Sequence, residues 1–213
     1  MIDVVLPVLD EADSLPWVLS RVPEGFNAIV VDNGSTDGSP QIARSLGAEV
    51  VFQSRRGFGA ACWKGLTTSA SEMVCFMDCD GSLDPRALVD IVHPLRTGTA
   101  DLILGARRAD RGAWPRHARL ANRCLTFELQ RRSGIELADI GPMRAARRDD
   151  LFKLELRDRR SGWPLEMVLR AIQSGWRILE VPVAYRKRAG RSKVTGTVKG
   201  TATAVLDMAR VLR

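Results

Sequence analysis

AIVVDNGSTDG, residues 28–38, decides the fold class. The run from Ala28 to Val31 is too short for a helix and apolar throughout, the pattern of a strand covered on both faces. It is released into Asp32-Asn33-Gly34-Ser35-Thr36-Asp37-Gly38, a cluster of turn formers. A helix is predicted from about Ser39 to Leu46, stopped at Gly47, which takes the left-handed conformation without strain. The same unit recurs on either side. Upstream, Val4-Val5-Leu6 opens a strand, and Ser14 to Val22 reads as a helix with Ser14 at its N-cap. Downstream, Glu49 to Phe52 is a third strand, Gly59 to Ala70 a third helix, and Met73 to Met77 a fourth strand that runs straight into Asp78-Cys79-Asp80. Asp84-Pro85 starts a helix reaching about Leu95, and Asp101 to Gly105 is a fifth strand. Such alternation predicts an α/β sandwich with a mainly parallel central sheet.

Beyond Gly105 the pattern loosens. Ala106 to Gly112 reads as a basic loop and Arg116 to Arg132 as a long basic helix. Asp139 to Arg144 reads as a strand entering a turn, Leu165 to Gln173 as a helix, and Arg177 to Tyr185 as a strand. A polar loop, Arg186 to Gly196, leads to a last helix from about Val198 to Leu212, in which Val198, Ala202, Val205, Ala209 and Leu212 share one face. No repeat or linker interrupts the 213 residues, so one domain is expected.

Composition narrows the function classes. With 45% hydrophobic and 27% charged residues the chain is an ordinary globular one, neither disordered nor fibrous. No apolar run approaches the roughly 20 residues of a spanning helix. The opening MIDVVLPVLDEAD lacks a basic leader and is broken by Asp10, Glu11 and Asp13, so no signal peptide and a cytoplasmic location are expected. Cys62, Cys75, Cys79 and Cys124 form no CxxC pair, and His93 and His117 stand alone, which argues for free thiols rather than zinc or disulfides. Charge is divided unequally. Residues 1–100 carry 7 Lys+Arg against 13 Asp+Glu, whereas residues 101–213 carry 25 against 12. The second half is therefore suited to something anionic: phosphates, a lipid surface or nucleic acid.

Ligands of a parallel sheet sit beyond the C-terminal ends of its strands. Three acidic clusters fall there: Asp10-Glu11, Asp32 to Asp37, and Asp78 to Asp80. Alternate residues of an extended strand end point the same way, so Asp78 and Asp80 face one ligand, and such a pair suits Mg²⁺ or Mn²⁺ shared with a diphosphate. Arg55-Arg56-Gly57-Phe58-Gly59-Ala60-Ala61 precedes a helix as phosphate-cradling turns do. It fails the dinucleotide fingerprint, because Cys62 stands where the third Gly belongs. A phosphate or ribose contact and a tight packing turn are both open readings.

In order, VVLPVLDEADSL, VVDNGSTDGS, RRGFGAACWKGL, FMDCDGSLDP, ADIGPMRAARRD, SGWPLEMVLRA and RAGRSKVTGTVKG resemble the motifs of family 2 glycosyltransferases of the GT-A fold. The similarity is to the polyprenyl- or dolichyl-phosphate mannose and glucose synthase branch, and it spans essentially the whole chain. The resemblance implies a Rossmann-like three-layer sandwich in which residues 1–105 bind a nucleotide-sugar and 106–213 an acceptor. Pro7, Asp10, Glu11, Asp32, Ser35 and Asp37 would hold the nucleoside, with Arg56 and Gly57 beside it. Asp78 would contact the nucleotide and share with Asp80 the metal at the diphosphate. Arg107, Arg116 and Arg119 would receive an acceptor phosphate. Arg188 and Lys193 belong to an R-x-G-x-S-K loop that closes over the donor, where cations stabilise the leaving group. Three positions depart from the common pattern: Asn33 replaces the second acid of an Asp-Asp-Gly-Ser turn, Ser82 stands where many mannosyltransferases have Gln, and Pro142 where Ser or Thr is frequent.

The resemblance implies inversion by one in-line displacement, with Asp80 and its cation acting on the leaving diphosphate. A lipid phosphate attacks unaided, whereas a hydroxyl acceptor needs a carboxylate base. Glu166 and Asp139 are the candidates; Glu166 is equally suited to a favourable charge in the first turn of its helix, and Asp139 to bracing the Gly141-Pro142 turn. Trp114, Trp163 and Trp176 are either acceptor-groove or core residues. A hexose transferred from UDP or GDP to a polyprenyl phosphate is the leading expectation, with a glycan or small-molecule hydroxyl as the alternative acceptor. Contact with an anionic membrane would be peripheral, and the final helix with Lys199 and Arg210 is suited equally to lying on it and to packing on the sheet. A nucleic-acid module is the distant alternative, disfavoured because aromatics do not interleave with the basic residues.

Overall fold

Seven strands form one sheet in the order β3-β2-β1-β4-β6-β5-β7. The computed structural model describes residues 1–189 together with Asp207, Met208, Arg210 and Val211. Strands β1 (Ile2–Val8), β2 (Phe26–Asp32), β3 (Glu49–Phe52) and β4 (Met73–Phe76) are mutually parallel. β5 (Leu102–Ala109) and β7 (Ile178–Tyr185) pair parallel to each other, and β6 (Arg144–Arg147) lies antiparallel between β4 and β5.

Helices cover both faces, which is why β1, β2 and β4 are largely apolar, with the buried Asp3 of β1 held by Ser69 and Asn27. Ile2, Val4, Leu6 and Val8 of β1 pack with Leu15 and Val18 of α1 (Leu15–Leu19), Ala43 of α2 (Ser39–Ser45) and Leu88 to Leu95 of α4 (Leu88–Arg96). Val5, pointing the other way, packs with α3 (Phe58–Thr68), α5 (Arg116–Ser133), α6 (Arg148–Lys153) and α7 (Trp163–Gln173). α3 lies close on β1 because Gly65 has no side chain: a Cβ there would run into the Val5 methyls. Gly65→Ala gains about 1 kcal/mol of helix propensity and loses about 1–3 kcal/mol to overpacking. A net loss of up to about 2 kcal/mol is expected, read as a lowered denaturant midpoint with unchanged m-value.

Several boundaries differ from the sequence expectation. Residues 106–109 are strand rather than loop, because β7 runs on to Tyr185 and offers each of them a partner, ending with Ala109 opposite Tyr185. Residues 139–143 are irregular; the strand follows them as β6, whose Arg-Ala-Ala-Arg composition hides it. The helix begun by Asp84 is first a 3₁₀ turn, Pro85–Ala87, with the Asp84 carboxylate accepting from Arg86 N at 3.1 Å. Ser14 precedes α1, yet its hydroxyl caps nothing and donates to Cys79 O at 2.5 Å, tying the first loop to the Asp-x-Asp segment. Of the last predicted helix, Asp207, Met208, Arg210 and Val211 are helical. The rest of it, with Lys199, lies outside the described residues.

Candidate active site

The register of β1 and β2 sets Val8 opposite Asp32, so their following loops leave the sheet side by side. Side chains stitch them together. Asp10, at φ 52°, donates from its backbone N to Ser35 Oγ (2.9 Å) and accepts from Thr36 N (2.7 Å). Asp32 accepts from Ser35 N at 2.9 Å. Asp37 accepts from Ala12 N (2.9 Å) and Ser39 Oγ (2.6 Å). These acids shape the loops without lining the neighbouring cavity, whereas Pro7, Glu11, Arg56 and Gly57 line it.

Asn33 also lines it, and its amide explains why an acid is absent there. Nδ2 donates to Gln53 O and Arg55 O, both at 2.8 Å, and Oδ1 accepts from Gly57 N at 2.8 Å. A carboxylate accepts but cannot donate. Asn33→Asp therefore strands two carbonyls against a negative charge, and a loss of about 1–3 kcal/mol in unfolding free energy is expected by thermal denaturation.

The Gly turn is a packing device. Gly57 sits at φ 142°, and a Cβ there would strike Arg159 O. The first amides of α3 point at the same loop: Gly59 N donates to Arg160 O (3.0 Å) and Ala60 N to Arg159 O (2.9 Å). With those donors taken, the phosphate-cradle reading of this turn gives way to the tight-turn one.

Asp78 and Asp80 lie at the floor of a cavity of about 870 Å³. Enclosure by protein first, and the neighbouring Asp80 charge second, raise Asp78 above the usual carboxylate range. Asp80 is buried and accepts from Ser82 N at 2.9 Å. The segment after β7 folds back along this loop, with Arg186 N on Ser82 O and Ala189 N on Asp80 O, both 2.8 Å. It carries Arg188 Nη1 to 3.2 Å from Asp80 and Nη2 to 3.4 Å from Glu11. Lys193 lies outside the described residues. Among those described, no three His, Cys, Asp or Glu side chains converge to hold an ion.

Across the cavity, Arg107 makes a fork to Asp139, Nε to Oδ2 and Nη2 to Oδ1, both 2.7 Å. Its guanidinium lies 3.8 Å from the Trp114 ring centre and 5.4 Å from that of Tyr185. Asn122 of α5 holds the same turn, donating to Ala138 O and accepting from Ile140 N. Arg119 borders a smaller cleft of about 460 Å³ with Arg107, Arg108 and Arg111, whereas Arg116 is exposed and lines neither.

Glu166 does not line the cavity. It accepts from Arg157 N (3.0 Å), Asp158 N (2.7 Å) and Arg170 Nε (2.8 Å), bracing the loop on which α3 abuts. Trp114 and Trp163 line the cavity, Trp163 while fully buried, and Trp176 packs against the core.

Sequence reading passed over Arg144, which borders the cavity from beneath. Burial lowers it to about 10, so it remains a cation at neutral pH, and it donates to Pro164 O and Ile140 O (both 2.8 Å) and Gly141 O. An arginine amid GPM and AA was the available signal. Asp207, buried and accepting from Arg160 Nε at 3.2 Å, also borders the cavity.

Three comparisons place this arrangement. An uncharacterised glycosyltransferase of Mycobacterium tuberculosis is 43% identical over 213 residues, covering 99% of this chain and 97% of its own. An undecaprenyl-phosphate mannosyltransferase of Micrococcus luteus is 31% identical over 219 residues, covering 93% and 89%. A glucosyl-3-phosphoglycerate synthase of M. tuberculosis, solved with Mn²⁺, UDP and phosphoglyceric acid, superposes with TM-score 0.78 at 25% identity, over 100% of this chain and 77% of that one. The sheet order and helical layers are those of the GT-A fold. The glycosyl transferase family 2 profile matches residues 3–154, and this chain, a hexosyltransferase by its fold and its relatives, belongs to that family.

Proposed function

We propose that the protein transfers a hexose, with inversion, from a nucleoside diphosphate sugar to a polyprenyl phosphate, using Mg²⁺ or Mn²⁺. Residues 1–105 bind the donor and 106–213 the acceptor. The observation that carries the acceptor class is the state of the carboxylates. Both candidate bases are engaged, Asp139 by Arg107 and Glu166 by two backbone amides and Arg170. Of the described carboxylates lining the cavity, Glu11 faces Arg188, Asp207 faces Arg160, and Asp78 and Asp80 form the acidic pair. A phosphate nucleophile is anionic already and needs no base. The M. luteus relative acts, by its name, on undecaprenyl phosphate.

The acidic pair fits a divalent cation. Two carboxylates and no third protein ligand is how Mg²⁺ is held when substrate phosphates and water complete its shell, and a guanidinium already stands against Asp80. Asp78 and Asp80 would hold the ion, which supplies Lewis-acid stabilisation of the leaving diphosphate when bound. Pro7, Glu11, Asn33, Arg56 and Gly57 line the wall that receives the nucleoside, on loops held together by Asp10, Asp32, Ser35 and Asp37. Arg188, joined by Lys193, brings positive charge to the diphosphate. Arg107, Arg116 and Arg119 attract the acceptor phosphate, with Arg144 adding a buried positive charge beneath.

The synthase solved with phosphoglyceric acid supports a second reading, a small phosphorylated acceptor in the cleft of Arg108, Arg111 and Arg119. Calorimetry with UDP and GDP, each with and without Mn²⁺, identifies the donor nucleotide. Turnover of the matching nucleotide-hexoses with farnesyl phosphate against phosphoglycerate then separates the acceptors. Failure of both nucleotides to bind would overturn the proposal.

A further inference from the structure

We infer that the outward face of α5 is the surface by which the protein docks on an anionic lipid bilayer, an inference that rests on the lipid-phosphate acceptor. Leu120 and Phe127 are two turns apart on one face of this helix and are 64% and 66% exposed. Exposed apolar side chains are ordinary when single. These two share a stripe with exposed Cys124, and the opposite stripe, Asn122, Thr126 and Leu129, is buried. Charge identifies the occupant. Between Asp110 and Glu128 the sequence has no carboxylate and four arginines, Arg111, Arg116, Arg119 and Arg123. None of the four has an ion-pair partner among the described residues, whereas Arg131 and Arg132 both pair with the Glu128 carboxylate. Apolar side chains set among unpaired cations match the boundary between acyl chains and anionic headgroups. Neutral apolar partners would leave those guanidinium groups without counter-charge.

The placement also serves the reaction. Ala118, Ala121, Asn122 and Leu125 of the same helix line the cavity. One helix thus forms both the docking face and a wall of the acceptor site, so an acceptor phosphate at the bilayer surface has a short route inward. Among the described residues no helix is long and apolar enough to cross a membrane, and two apolar side chains alone give only weak insertion. Attachment is therefore expected to be reversible and to weaken with salt.

Cys124 makes the test direct, since Cys62, Cys75 and Cys79 are buried and it alone is open to a maleimide. The full chain carrying an environment-sensitive fluorophore at Cys124 is mixed with phosphatidylcholine vesicles, with and without phosphatidylglycerol. Blue-shifted emission and co-sedimentation are expected with the anionic vesicles only. Leu120→Ser with Phe127→Ser lowers partitioning about a hundredfold, and Arg123→Ala about fivefold. Equal partitioning of the double variant and the wild type would overturn the inference. So would a concentration-dependent dimer that the double variant abolishes, because the face would then bind a second copy. Turnover of farnesyl phosphate in free solution stays at the wild-type level in the double variant. If the wild type itself lacks that turnover, the acceptor assignment falls while the vesicle result still decides the surface.

Discussion

Asp80→Ala lowers turnover of the nucleotide-sugar by about a thousandfold or more, while the ligand-free protein melts within a few degrees of the wild type. Metal-assisted charge stabilisation is worth several kcal/mol, and each 1.36 kcal/mol of barrier is about tenfold in rate. The structural cost is small for a specific reason. Asp80 is buried beside Asp78, whose carboxyl is held above the usual range by burial first and by repulsion from Asp80 second. Deleting one carboxylate relieves that repulsion, which offsets the lost hydrogen bond from Ser82 N and the 3.2 Å contact with Arg188. Calorimetry of the variant is expected to show nucleotide binding that no longer responds to Mn²⁺. Wild-type turnover in Asp80→Ala, or binding that still needs Mn²⁺, would remove the acidic pair from the site.

Arg188 gives the experiment a second readout. Its guanidinium stands against both Asp80 and Glu11 and so compensates the acidic floor, the same charge that the proposed function brings to the diphosphate. Donor and cation entering together must exchange those contacts. The alanine at 80 removes one of the two, and the loop after β7 is then held there chiefly through backbone bonds to Asp80 O and Ser82 O, which survive the substitution.

Much of this was legible in the chain. Short, largely apolar runs bounded by turn formers gave the first four strands, because parallel strands covered by helices keep few polar positions to blur the pattern. β6 was not legible: its sequence is Arg-Ala-Ala-Arg, and only the slot between β4 and β5 makes it a strand. The site residues divide along the same line. Which acids gather beyond the strand ends followed from topology. Which of them line the cavity did not, because Asp10, Asp32 and Asp37 accept from amides and hydroxyls of the paired loops. Asn33 showed as a departure from the family pattern, but its reason, donation to two carbonyls twenty residues on, needed the folded loop. Glu166 had two readings in sequence, a base or a first-turn helix charge, and the structure adds a third role: it braces the loop of Arg157 and Asp158 and pairs with Arg170.

Asp139 allows the same choice to be made by measurement. Its carboxylate is 2% exposed and that of its partner Arg107 17%, and it accepts from Arg107 N, Nε and Nη2 and from Gly141 N. Asp139→Ala leaves the Arg107 guanidinium without its counter-charge, with the buried cation of Arg144 close enough to repel it. Breaking a buried pair from one side costs about 3–5 kcal/mol. For a chain of this size each kcal/mol moves Tm by about 2–4 °C, so a fall of roughly 6–20 °C is expected in calorimetry. Asp139→Leu combined with Arg107→Met recovers most of that loss, because a desolvated pair replaced by apolar side chains is close to neutral. A general base would behave in the opposite way. Asp139→Asn would then cut turnover with hydroxyl acceptors by two to four orders of magnitude and leave Tm nearly unmoved. A large fall in Tm that the double variant repairs assigns Asp139 to holding Arg107 at the cavity wall, which leaves the acceptor to supply its own negative charge.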